Sequence, residues 1–141
     1  MKYIAFDIGD KRIGVAVSDP FCEMALPLET YYRKNFKKDI EYLVNLANSR
    51  FADVIVCGLP LNFDGSHSEQ TEKTLSFVEE LKKNTNIKIE LQDERWTTLE
   101  ARRLLLEADM KRADRKTVID KVAASYILET YMLTQKNKGV K

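Results

Sequence analysis

Asp7 closes the apolar run Tyr3 to Phe6 and opens the segment Asp7-Ile-Gly-Asp-Lys-Arg-Ile-Gly14, after which Val15 to Val17 begins a second apolar run. Two short strands joined by so tight a connection must lie antiparallel, which puts the acid at the open end of a sheet. A charge there is costly unless a cation, a metal ion or several N–H donors offset it. Gly9 and Gly14 suit such a turn, since glycine reaches positive φ cheaply and lets another backbone or a phosphate come close. A plain hairpin in which Asp7 bonds its own backbone as an Asx-turn fits the same residues.

The remaining pattern settles the fold class. Residues 2–7 and 12–19 read as strands, and a third apolar stretch, Met24 to Leu28, follows Asp19-Pro20. Between Lys37 and Arg50, Ile40, Leu43, Val44, Leu46 and Ala47 recur at helical spacing. Asp53 to Gly58 is a short apolar run suited to a strand buried on both faces. Ser66 or Ser68 can cap a helix over 69–83 that buries Leu75, Val78 and Leu81, and Ile87 to Leu91 alternates as a strand. Thr97 or Thr98, with Glu100 soon after, predicts a helix through Ala108, and Asp114 is placed to cap a last helix to about Leu133. The polar tail, Gln135 to Lys141, is expected to fray. Strands separated by helices run parallel through right-handed crossovers. The expectation is therefore an α/β domain over 1–141, in which a three-strand antiparallel meander and two parallel strands form a mixed five-stranded sheet flanked by helices.

Composition narrows the function classes. The chain is 44% hydrophobic and 32% charged, and no apolar run approaches the ~20 residues that span a bilayer. Its first residues carry no secretory pattern, so a cytoplasmic location is expected. Cys22 and Cys57 lack metal-ligand spacing and read as reduced thiols, the second packed as a small hydrophobe. With a net charge of +1, a nucleic-acid surface has to be a local patch. Arg95, Arg102, Arg103, Lys111, Arg112, Arg115 and Lys116 supply one, diluted by five acids, and a solvated helical face is its plainer reading.

In open α/β sheets ligands bind at the carboxyl ends of the strands. Asp7 lies at one such end, the loop Gly58 to Ser66 at a second, and Gln92 to Thr98 with Glu94 at a third. Asp120 lies one turn before Ala123 and Ala124, small residues that let its helix approach the sheet. Asp7, Glu94 and Asp120 around one cavity would suit Mg²⁺ or Mn²⁺, because hard oxygen donors without paired histidines or cysteines favour those ions over zinc. Two such ions about 3.5–4 Å apart serve in-line phosphodiester cleavage. Plainer readings exist: Glu94 pairing with a nearby arginine, and Asp120 complementing its helix amino terminus. The N–H groups of the 58–66 loop can hold a phosphate or merely connect strand to helix. His67, the lone histidine, is assigned no catalytic role.

Four segments, Asp7 to Asp19, Gly58 to Ser66, Asp93 to Arg102 and Asp120 to Ala124, together resemble the YqgF family over nearly the whole chain. Its members are described as Holliday junction resolvases and as nucleases maturing the 5′ end of pre-16S ribosomal RNA. The resemblance implies a ribonuclease H-like fold and a divalent-metal endonuclease. Asp7 would bridge two Mg²⁺ or Mn²⁺ ions, with Glu94 and Asp120 each holding one. Gly9, Lys11, Arg12, Gly58, Asn62, Gly65 and Ser66 would position the nucleic acid, and Arg95 and Arg102 would neutralise developing charge. Trp96 departs from the aliphatic residue expected there. Pre-16S RNA is the favoured substrate, handled by a monomer, and a DNA junction cut by a symmetric homodimer is the alternative. A non-catalytic nucleic-acid-binding module and an actin-like ATP-binding domain, which shares the Asp-x-Gly turn, complete the alternatives.

Overall fold

The computed structural model describes residues 1–95 and 112–139, with side chains described for 1–95 and 118–138. The helix expected between Thr97 and Ala108, with Trp96, Arg102, Arg103 and Lys111, lies outside the described residues.

Strands β1 (Tyr3–Ile8), β2 (Arg12–Ser18) and β3 (Ala25–Tyr32) form the expected meander, followed by α1 (Phe36–Ser49), β4 (Val54–Leu59), α2 (Glu69–Asn84), β5 (Lys88–Asp93) and α3 (Arg112–Gly139). The sheet order is β3-β2-β1-β4-β5, antiparallel on the meander side and parallel from β1 through β4 to β5. The fold class read from the sequence is therefore the one observed. β1, in the centre, is flanked by a strand of each sense.

Side-chain alternation divides the core in two. Ile4, Phe6, Ile8, Ile13 and Val15 face α1 and α2, while Ala5, Ala16, Val54 and Val56 face Ala123, Ala124, Ile127 and Leu128 of α3. Small residues on the second face let α3 lie close across β1, β2 and β3.

Some boundaries differ from expectation, for local reasons. β3 runs on to Tyr32 past the apolar stretch, because Thr30, Tyr31 and Tyr32 are branched or aromatic residues that suit a pleated surface. It also tolerates Pro27, as an outer strand with a register shift near Val15 and Ala16 can. Ser68 rather than Ser66 caps α2, in a reciprocal capping box with Thr71. The buried face of α2 is Thr71, Thr74, Phe77, Val78 and Leu81, leaving Leu75 only partly buried. Helix α3 includes Arg112 to Asp114, so Asp114 lies inside the helix rather than at its cap, and the helix continues through the tail expected to fray as far as Gly139.

Candidate active site

Asp7 is the last α3-facing residue of β1, two positions after Ala5. Its partner across the antiparallel ladder is Gly14. A Cβ at Gly14 would lie 1.8 Å from the Asp120 carbonyl oxygen and 2.3 Å from its carbon, so the α3 backbone rests directly on β2 at that rung. Gly14 thereby sets Asp120 over the strand beside Asp7. Ala123 and Ala124, both buried, continue the close contact one turn on. Gly9 and Gly14 do not adopt the positive φ expected of a turn; among the described glycines only Gly65 does, at 87°. Close approach is what both positions require, as a Cβ at Gly9 would stand 2.8 Å from the Arg12 carbonyl oxygen.

Glu94 arrives from the other side. Its N–H donates to the Leu59 carbonyl at 3.1 Å, extending the β4–β5 ladder one step beyond the Leu59–Asp93 pair. The carboxylate sits over Gly58, where a Cβ would be 3.1 Å from both Cδ and Oε1. Gly58 follows Cys57, the parallel partner of Phe6, just as Asp7 follows Phe6. The three acids thus meet the ends of three neighbouring strands, Glu94 above β4, Asp7 on β1 and Asp120 above β2, with adjacent strands about 4.8 Å apart.

The carboxylates are not yet gathered on one point. Among the described residues no three His, Cys, Asp or Glu side chains are close enough to hold one ion. Asp120 Oδ2 instead accepts from Arg12 Nε at 2.6 Å.

The 58–66 loop is closed on itself. The N–H groups of Asn62 and Gly65 donate to the Ser66 and Asn62 carbonyls, that of Ser66 donates to Asp64 Oδ1, and the Asn62 side chain donates to Ser66 Oγ. These groups, expected to face a phosphate, hold the loop together in this arrangement. Arg95, expected to offset developing charge, bonds Asp93 through Nε at 3.0 Å and Nη2 at 2.8 Å. Its guanidinium covers Gly65 and donates weakly to the Phe63 carbonyl at 3.4 Å, fastening the loop to the end of β5. Partial burial works to raise the Asp93 pKa, but the bonds from Arg95 outweigh it and hold the carboxyl below its ordinary value. Lys11 is exposed on the turn. His67 Nδ1 stands 2.7 Å from Glu72 Oε1 on the surface.

One supporting group escapes sequence reading. Asp39, in the first turn of α1, is 1% exposed and accepts from the Tyr31 hydroxyl, Arg33 Nε and the Lys34 N–H, each at 2.9 Å. Arg33 Nη1 in turn donates to the Gly9 carbonyl at 2.9 Å, bracing the acid-bearing turn from the α1 side. Burial favours the protonated acid, yet these donors keep the Asp39 pKa below its usual value. Burial, then the bond to Asp39, pushes the Tyr31 hydroxyl up to about 12. The only signal was an acid in a helix first turn, which is ordinarily solvated. A cavity of about 380 Å³ beside this brace is lined by Asp10, Arg33, Phe36, Lys73 and Phe77, and by none of the three acids.

Comparison with known proteins bears on the fold and the family. The family model described as RuvX: Holliday junction resolvase matches residues 1–134. A candidate pre-16S rRNA nuclease of Clostridium acetobutylicum is 47% identical over 132 residues, covering 94% of this chain and 98% of that one. A protein of the same name from Clostridium novyi is 43% identical over the same shares. Among solved structures, RuvC of Thermus thermophilus in complex with a Holliday junction substrate superposes with a TM-score of 0.61 at 10% identity, covering 96% of each chain. The fowlpox virus Holliday junction resolvase gives 0.58 at 18% identity, covering 95% of this chain and 99% of that one. The two structures establish a ribonuclease H-like fold, and the family model together with relatives nearly half identical along their whole length makes this chain a member of the RuvX, or YqgF, family of phosphodiester-cleaving nucleases.

Proposed function

We infer that this nuclease processes the 5′ end of precursor 16S ribosomal RNA, with Asp7, Glu94 and Asp120 as its catalytic acids. The carrying observation is their placement over the ends of β4, β1 and β2. The substrate follows from the name borne by relatives 43–47% identical to the chain.

The donor set suits Mg²⁺ or Mn²⁺. Cys57 packs in the core beneath α1 and α2, and His67 pairs with Glu72, so among the described residues this edge offers carboxylate oxygens without sulfur or imidazole. Ions held there supply Lewis-acid polarisation of the phosphate and of the attacking water. Asp7, between the other two acids, would hold such ions together with Glu94 and Asp120. Lys11, exposed on the opening turn, and Arg12, at the start of β2 and held by Asp120, lie where a phosphate backbone would pass. Arg95 acts through the loop it fastens, fixing Gly58 to Ser66 beside the strand.

The family's description supports a second reading, paired nicks in a four-way DNA junction, which two-fold symmetry would suit. Purified protein offered a labelled pre-16S leader and a labelled junction, each with Mn²⁺, separates them. Single cuts at the RNA 5′ end are expected; symmetric junction nicks with the RNA left whole would replace the reading with the second.

A further inference from the structure

The contact between Arg12 and Asp120 joins a strand residue to a candidate metal ligand 108 positions away. Both side chains are partly shielded, at 27% and 21% exposure, and the 2.6 Å separation is that of a charge-assisted bond. Neither backbone is free to withdraw. The Arg12 carbonyl accepts from the Gly9 N–H at 3.0 Å, and Arg12 is also paired with Tyr32 in β3. The Asp120 backbone is seated on Gly14, where no Cβ would fit. The same carboxylate can therefore exchange partners only by side-chain rotation, and a guanidinium that leaves Asp120 remains tethered beside the acids.

We propose that Arg12 is a tethered counter-ion that occupies Asp120 until a divalent cation replaces it, and that the released guanidinium then takes a phosphate of the nucleic acid. This rests on the assignment of Asp120 to the metal. A fixed positive charge beside a metal ligand opposes a second cation, while a phosphate that draws Arg12 away removes the opposition. Metal and nucleic acid then strengthen each other's binding by one common factor, as linkage requires. Arg12 is a positioning residue in this scheme, acting on the metal site through Asp120.

The test is calorimetric titration of the full chain with Mn²⁺, alone and with a short phosphorothioate RNA that resists cleavage. In the unaltered protein the RNA is expected to tighten Mn²⁺ binding by about 5-fold or more, within the usual range of coupling between sites. Arg12→Gln should bind Mn²⁺ more tightly than the unaltered protein without RNA, and the RNA should then tighten it by a smaller factor, the part left being what direct contact between phosphate and ion supplies. Arg12→Lys keeps the charge and should restore the coupling. Asp120→Asn, which should weaken Mn²⁺ binding, separates two kinds of failure. If it leaves Mn²⁺ affinity unchanged, the metal assignment falls and the inference with it. If it weakens Mn²⁺ while a folded Arg12→Gln protein shows unchanged affinity or undiminished coupling, only the role of Arg12 is overturned.

Discussion

Asp39 carries as much of the site's architecture as any residue that would touch substrate. It holds Arg33, which holds the Gly9 carbonyl, so a carboxylate buried under α1 fixes the turn after Asp7. Its pKa is depressed from the usual 3.8, so its stabilisation is complete above that value and is lost as pH falls through the lower folded-state value. Asp39→Asn should cost about 3 kcal/mol near neutrality, because a buried charged network loses one partner. In urea unfolding the gap from the unaltered protein should narrow as the pH falls below the ordinary carboxylate value of 3.8 and the native carboxyl protonates. A gap independent of pH would assign the cost to packing. Asp39 was not legible as a site support, because nothing in a first-turn acid says that a tyrosine, an arginine and a backbone N–H will fold over it. The place of Asp7 near the end of β1 was legible, because an acid that follows an apolar run and precedes a glycine-bearing turn marks where a strand stops.

At the scale of elements, α3 and the two glycines beneath it decide where the acids lie. Gly14→Ala would drive a methyl into the Asp120 carbonyl, a rigid obstacle, so the helix must shift; a loss of about 3 kcal/mol and a lowered unfolding midpoint are expected. Gly58→Ala meets the Ile127 Cδ1 at 2.6 Å and the Glu94 carboxylate at 3.1 Å, both side-chain ends that can yield. That variant should keep most of its stability and lose cleavage, because Glu94 is pushed off its place; cleavage rates beside thermal melting distinguish the pair. Periodicity located α1, β4 and α2 to within a residue or two, since their apolar faces are regular. It shortened β3, whose later residues are polar or amphipathic, and it ended α3 too early, because a lysine-rich helical end resembles a solvated tail. The seat of Asp120 on Gly14 was only half visible: glycine announces a close approach but not the element that makes it.

For the molecule as a whole, the order β3-β2-β1-β4-β5 converts separated motifs into one edge. β1 is central, so the chain's first acid is flanked by β2, which seats α3, and by β4, which seats Glu94. The alternation of strands and helices foretold the meander and the two parallel strands but not the order that makes β1 central; the engagement of Asp120 by Arg12 and of Arg95 by Asp93 depends on rotamers that no spacing encodes. The proposed work of these acids is phosphodiester hydrolysis. Cleavage of the pre-16S leader with Mn²⁺ by the unaltered chain and by Asp7→Asn, with melting curves for both, tests it most directly. A variant that melts like the unaltered chain and cuts at least about 1000-fold more slowly is the expected result, the order of a lost electrostatic contribution to a transition state; full cutting by a folded Asp7→Asn protein would contradict the claim.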